Sequence, residues 1–443
     1  MSFKPVGNLN AGYVDISSYD KPDEAFYGGE KVATLFSRNM KKYSWYTQVT
    51  AAEKNEGTND SPLFKFSKQG DFALMSWVET TTPKLTIKTA SNGQLKWRIA
   101  YTWNLAHNIW KQGSLKFNEL PAQSYETVGL DFVSQYRRDP AKWALYQKMI
   151  GNTRALQEFS SELPATVIKL PTPFYYSRDS SYALPLCRAS LNDVKEEFQV
   201  ETDLRNLVRV QKNTAADVVN DEPVWVDQKA STVDFSAILD VAGGKAFEIG
   251  ETRHWTKYIL VTDEEREAHA DEVKDVVIEQ FQKQNGTKGP VGEHRLEFHF
   301  VMPTKALFFG FANKTSEEYN NRSNYSDSYK TGANPGSDPL AWATLTYENQ
   351  DRFSNIPGHQ FDMETLQHGS RAITEPGYHA LFYCQHLNDL DLTGSTNMSN
   401  LVTSFTAEAA EHSAENNQYV FVVRGINSHR LTFRNSAAGF RAF

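Results

Sequence analysis

The sequence predicts a mainly β protein built from antiparallel sandwiches in two large halves. Three observations carry this. Most segments read as short strands rich in Thr, Val and aromatic residues. Helical patterns are few and isolated, which argues against βαβ crossovers. A polar stretch, "VQKNTAADVVNDEPVWVD" from Val210 to Asp227, divides the 443 residues near their middle. A chain of that length suits two large domains or roughly three average ones.

The elements follow in order. "DFALMSWVETTTPKLTIKTA", Asp71 to Ala90, reads as strand broken at Pro83. Asn92-Gly93 then predicts a hairpin, because both residues tolerate positive φ. A helix is expected over Asp139–Asn152. In "TPFYYSRDSSYALPL", Thr172 to Leu186, prolines interrupt both ends, so Phe174–Tyr176 read as a short strand. Arg178-Asp179 read as a polar turn in which Asp179 caps local backbone donors.

The second half opens on a helix. Thr262 with Glu265 makes a capping box, and Val273, Val276, Val277 and Phe281 recur at helical spacing up to Asn285-Gly286. "HRLEFHFVM" alternates, placing His294, Leu296, Phe298 and Phe300 on one face. Asn313–Pro339 is long and polar and is expected to project between two neighbouring strands, "ALFFGFA" and "LAWATLTYE". The C-terminal "NQYVFVVRGINSHRLTFRN" reads as an apolar strand, a loop and an alternating strand.

Composition narrows the function. A net charge of −8 argues against a chain whose main task is gripping DNA. Two cysteines, Cys187 and Cys384, form no disulfide framework and no CxxC, and read as free thiols in a reducing compartment. The opening residues carry no secretory signal, and a membrane-length apolar run occurs nowhere. No GxGxxG, Walker A, HExxH or GxSxG motif is found.

Candidate chemistry reduces to scaffold on this reading. His294 and His299 fall on opposite strand faces, so they share no metal. The carboxylate pairs Glu196-Glu197, Glu264-Glu265 and Glu317-Glu318 read as solvated surface, although a glycosidase pair is not ruled out by residue type. Ser177 would need a positioned base, and no motif supplies one. Sequons at Asn59, Asn285, Asn313, Asn321, Asn324 and Asn397 read as chance occurrences in exposed loops.

Several segments, read in order, carry a family resemblance. They are "AGYVDISSYDKPDEAFYGG" at Ala11–Gly29, "WYTQV" at Trp45–Val49, "QGDFALMSWV" at Gln69–Val78, "NLAHNI" at Asn104–Ile109 and "MIGNT" at Met149–Thr153. "LPTPFYYSRDSSYALPL" at Leu170–Leu186, "VTDEEREAHADEVKDVVIEQ" at Val261–Gln280, "TYENQDR" at Thr346–Arg352, "GSTNMSNL" at Gly394–Leu401 and a final "GINSHRLTFRN" follow. Together the chain resembles the major capsid proteins of iridovirus type, over essentially its whole length. Where members usually show Pro-Ser-Gly-Ser before Thr-Asn, this chain has Leu392-Thr393 before Gly394.

The resemblance implies a double jelly roll: two tandem eight-stranded antiparallel β-sandwiches with a few short helices in connections. It implies an N-terminal arm over 1–25, a first jelly roll over 26–212 and a second over 213–443. The implied protein is structural, with no catalytic residue, cofactor or metal. Its copies would form a homotrimeric, pseudo-hexagonal capsomer that tiles an icosahedral shell of a large double-stranded DNA virus. Expected partners are neighbouring capsomers and minor capsid proteins on the inner face, with no direct nucleic acid contact. The shell would overlie an internal membrane that the chain does not enter, and assembly would take place in host cytoplasm. Arg178, Asp179, Trp45, Trp103, Trp110 and Trp143 are candidate interface or signature residues, Arg178 and Asp179 pairing within the first jelly roll or across the trimer seam. A minor double-jelly-roll capsid protein, and a jelly-roll sugar-binding protein or glycosidase, stand as alternatives.

Overall fold

The computed structural model describes residues 9–27, 36–37, 40–89, 93–215, 217, 221–244, 247–271, 273–330, 332, 334–389, 391–399, 401–434 and 436–440. The chain separates into two units, Met1–Trp45 and Tyr46–Phe443. Described parts of the first unit include two short helices, α1 (Leu9–Ser17) and α2 (Lys21–Tyr27). At the start of α2 the Asp20 side chain accepts from the Lys21 N–H at 2.7 Å, and its backbone carbonyl accepts from the Asp23 and Glu24 N–H groups at 2.9 and 3.0 Å. Tyr13, Val14, Ile16, Phe26 and Tyr27 on these helices are exposed.

The second unit holds sixteen principal strands among the described residues. The first eight are β1 (Tyr46–Glu53), β2 (Leu63–Lys65), β3 (Phe72–Thr82), β4 (Trp110–Phe117), β5 (Leu120–Glu126), β6 (Thr166–Pro171), β7 (Val194–Val200) and β8 (Arg253–Val261). They form two antiparallel sheets, ordered β1-β8-β3-β6 and β2-β7-β4-β5. The next eight are β9 (Lys274–Asn285), β10 (Gly292–Phe298), β11 (Pro303–Asn313), β12 (Leu340–Tyr347), β13 (Gln350–Pro357), β14 (His379–Phe382), β15 (Thr403–Ala409) and β16 (Tyr419–Arg434). Their sheets are ordered β9-β16-β11-β14 and β10-β15-β12-β13. Adding eight to each label of the first set reproduces the second, so the chain repeats one topology.

Period-2 alternation fills each sandwich. In the first, Val78 of β3, Tyr258 of β8 and Leu170 of β6 meet Phe64 of β2, Phe198 of β7 and Leu115 of β4. In the second, Phe309 of β11 and Phe421 of β16 meet Phe405 of β15 and Leu345 of β12. As expected, Leu296, Phe298 and Phe300 turn inward together, and His294 lies edge-on to Phe311 at 5.3 Å. The expected helix near residue 140 is α4 (Pro140–Met149), its N-terminus capped by Asp139. It follows α3 (Thr127–Arg137).

Six expectations are corrected. The division at 212 and 213 falls inside the first set of sheets, because β8 closes onto β1 and β3. The polar stretch near 215 belongs to a long β7–β8 connection that builds two small extra sheets rather than an interdomain linker. The helix from Thr262 ends early: α5 spans Asp263–Asp271 and the chain then runs as β9. Val276 and Ile278 are buried on one face of β9, where period 2 wins over helical spacing once a partner strand is available.

Asn92 lies outside the described residues, and Gly93–Lys96 is a helical turn. The strands flanking it do not pair: Leu85–Ile87 joins Leu239–Val241, and Trp97–Tyr101 joins Val208–Asn213. The chain end forms one continuous strand, β16, without the loop, since Asn427 and Ser428 stay in register with β9. Finally, 313–339 does not project. Asn313, Asn320, Asn321, Asn324 and Asp327 are buried, because their side chains satisfy local backbone groups. Asn320 Nδ2 also donates to the Arg205 and Val208 carbonyls at 2.7 and 2.8 Å, fastening the segment to the first sandwich. The strands either side, β11 and β12, lie in different sheets.

Candidate functional site: the seam between the sandwiches

The seam is built from the β5–β6 connection. β5 runs directly into α3, whose residues Gly129 to Tyr136 are all buried. A helix buried on all faces needs neighbours on every side. Phe132 meets Tyr325 and Tyr378 edge-on, each at 5.0 Å, and Tyr136 packs on Phe308 at 5.2 Å. α3 thereby covers the outer face of β11 and β16, at Ala306, Phe308, Val420, Val422 and Ile426. Gly310 permits the close approach: a methyl there would press on Phe132 and the Gly377 carbonyl. A second contact comes from β9 and β16, whose Val276, Ile278, Leu431 and Phe433 enter the core of the first sandwich.

One buried carboxylate ties these pieces electrostatically. Glu279 of β9 receives Arg137 of α3 at 2.6 Å, Arg178 at 2.9 Å and Lys305 of β11 at 3.2 Å. Burial alone would raise its pKa, but the three cations outweigh it and hold the carboxyl at about 2. Lys305 Nζ also donates to the Leu387 and Asp389 carbonyls, each at 3.0 Å, and Arg178 to the Asn388 carbonyl at 3.3 Å. Desolvation lowers the pKa of both Lys305 and Arg178. The arrangement suits a rigid clamp: its charges are turned on one another.

Two other buried polar clusters have the residue types of active sites. In one, His254 Nε2 meets Glu196 Oε2 at 2.8 Å, while Ser76 donates to Glu196 Oε1 at 3.0 Å. The histidine contacts the acid and not the serine, so no serine–base pair forms. In the other, Asp131 accepts from Asn104 at 2.7 Å and Tyr325 at 3.0 Å, and His107 bridges Asp131 and Tyr146, each at 2.7 Å. Burial opposes charge on His107, yet Tyr146 and Asp131 raise its pKa to about 9. Both histidines are fully buried and tie strands or helices together. Among the described residues no three His, Cys, Asp or Glu side chains are grouped to hold a metal.

The residues singled out by sequence scatter. Arg178 pairs neither with Asp179 nor inside the first sandwich; it reaches Glu279 in the second. Asp179 caps its turn as expected, accepting from Ser181 N at 2.9 Å. Phe174–Tyr176 do not form a strand: Tyr175–Ser177 is a 3-10 turn, with Pro171 and Pro173 just upstream. Ser177 Oγ is buried, and no base reaches it among the described residues. Trp110 is completely buried core and cannot anchor a surface, whereas Trp45 is 74% exposed. Trp103 is half-buried, and Trp143 lies beneath the Arg371 guanidinium at 3.6 Å. Asn59, Asn285 and Asn397 are exposed. Asn313, Asn321 and Asn324 are not, and their Nδ2 atoms are already donated to the Ser326, Lys330 and Ser328 carbonyls at 3.0, 3.0 and 2.7 Å. Sequence reasoning missed Glu279, Arg137 and Lys305. The available signal was a single acid inside the apolar run "VVIEQF".

Comparison with known proteins fits this architecture. Residues 34–260, more than half of the chain, match the family described as major capsid protein N-terminus. Residues 265–430 match the family described as large eukaryotic DNA virus major capsid protein. The two matches meet at α5, between the two sets of sheets. The chain is 29% identical to the major capsid protein of Simulium iridescent virus, over 97% of this chain and 95% of that one. It is 28% identical to that of Frog virus 3 (isolate Goorha), over 99% of each. Among solved structures, the PBCV-1 virus capsid aligns with TM-score 0.70 at 15% identity, over 93% of this chain and 100% of that one. The Faustovirus major capsid protein aligns with TM-score 0.70 at 10% identity, over 90% and 93%. The fold is the double jelly roll, and the chain belongs to the family of large eukaryotic DNA virus major capsid proteins.

Proposed function

We propose that this major capsid protein assembles as a homotrimer whose six jelly rolls form a pseudo-hexagonal capsomer of an icosahedral shell. The observation that carries the reading is the repeat itself: two sandwiches of one topology, fixed together by a seam with an apolar core and a buried charge clamp. Such a two-lobed block is already one third of a six-lobed ring. The two rolls are taken as 46–261 and 274–440, with α5 between them.

On this reading the chain's role is structural, without enzymatic activity, and its place is the virion capsid, assembled in host cytoplasm. No described helix is long and apolar enough to cross a membrane. The shell lies over an internal membrane without this chain entering it, and the chain makes no direct contact with nucleic acid. The exposed apolar side chains of α1 and α2 favour docking of the N-terminal unit on a minor capsid protein at the inner face. Light scattering on the purified chain tests the central point. A species of three times the 50.2 kDa chain mass is expected, and a stable monomer overturns it.

A further inference from the structure

The repeat within the chain has one contact satisfied and its counterpart open. In the first roll, α3 follows β5 and covers the outer face of β11 and β16 in the second. In the second roll the element at the same place is α6 (Phe361–His368), which follows β13 after one 3-10 turn, Gly358–Gln360. Phe361 and Thr365 face its own roll, and Phe361 lies edge-on to Phe309 at 5.0 Å. The opposite side presents Met363 and Leu366 at 67% and 72% exposure. The sheet face matching the covered one is the outer face of β1, β8 and β3. It carries Tyr46, Trp77, Trp255 and Ile259 with Lys257 among them, and Trp77 stacks on Trp255 at 6.4 Å. Tyr46 is half exposed, at 51%.

The charges repeat as well. At the start of α3, Glu126 pairs with Arg424 on the outer face of β16, and with Lys283 at 2.9 Å. At the start of α6 stand Asp362 and Glu364. Lys257 occupies the outer face of β8, the strand equivalent to β16, and has no ion-pair partner among the described residues. Within one chain α6 is fixed to its own roll by Phe361 and cannot turn to that face. A second copy can bring it there.

We propose that α6 of one copy docks on the outer face of β1, β8 and β3 of the next, with Met363 and Leu366 against the Trp77–Trp255 pair and Asp362 or Glu364 at Lys257. The contact is head-to-tail, so it must close into a ring or grow without limit. It rests on the trimer reading, under which the ring closes after three copies.

The test separates the two. Wild-type chain is compared with Met363→Asp/Leu366→Asp, with Lys257→Glu, and with Lys257→Glu combined with Asp362→Lys/Glu364→Lys. Each is followed by light scattering and thermal melting, and mixed isotopically light and heavy chains are coupled with a carbodiimide. Met363 and Leu366 are exposed, so the melting of monomeric variants should stay unchanged. The expected results are at least a tenfold rise in the concentration needed for assembly in the first two variants, recovery in the charge swap, and light–heavy crosslinks from Lys257 to Asp362 or Glu364. A trimer that keeps its mass in all variants and gives no such crosslink overturns the docking but leaves the trimer standing. A wild-type monomer overturns the trimer itself. If trimers tolerate the α6 changes but dissociate when residues 1–45 are removed, the face belongs to the N-terminal unit and the inference fails.

Discussion

At the residue scale the account turns on Glu279. Replacing it with Gln leaves Arg137, Arg178 and Lys305 without their shared anion, and loss of one partner from a buried ion cluster costs about 3–5 kcal/mol. Arg178→Ala removes one of three donors and should cost less, about 1–3 kcal/mol. Thermal melting of the isolated chain reads both, and an unchanged Glu279→Gln melt would refute the clamp. The pH dependence has a definite sign. The folded carboxyl is held at about 2, below an unfolded value near 4.5, so its stabilisation is complete above about pH 4.5. It fades as pH falls towards 2, by ~3 kcal/mol in total. The Gln variant should lack that part of the acid sensitivity, measured as denaturant midpoint against pH. Asp179 was legible in the sequence because capping is local; Glu279 was not, since its partners come from residues 137, 178 and 305.

Elements were legible where their own pattern decided them and obscure where a distant strand did. The alternation from His294 and the Asp139 cap needed no partner to be read. The stretch after α5 satisfies helical spacing as well as period 2, and only pairing with β16 decides between them. The 313–339 segment misled for another reason: polarity suggests exposure, but asparagines can bury themselves by bonding nearby carbonyls. Gly377 shows how tightly that segment is held. Its φ is +84°, and a methyl would collide with the Tyr325 carbonyl. Gly377→Ala should destabilise the chain by about 1–3 kcal/mol, with the loss seen in melting and with α3 loosened in hydrogen exchange. An unaffected variant would contradict the close packing described at the seam.

At the scale of the molecule, fold class and family were within reach of the sequence, because strand abundance and ordered motifs extend over the whole chain. The division between the rolls was not. The polar stretch near residue 215 has a linker's composition, yet β8 returns after it to complete the first sandwich. A closing strand that comes late is a topological fact, and composition carries no trace of it. The same topology, written twice and joined by one seam, is what makes the chain a building block. An electron-microscope image of the purified assembly tests this most directly. Three-fold particles with six lobes of near-equal size are expected; isolated two-lobed particles, or a two-fold assembly, would contradict it.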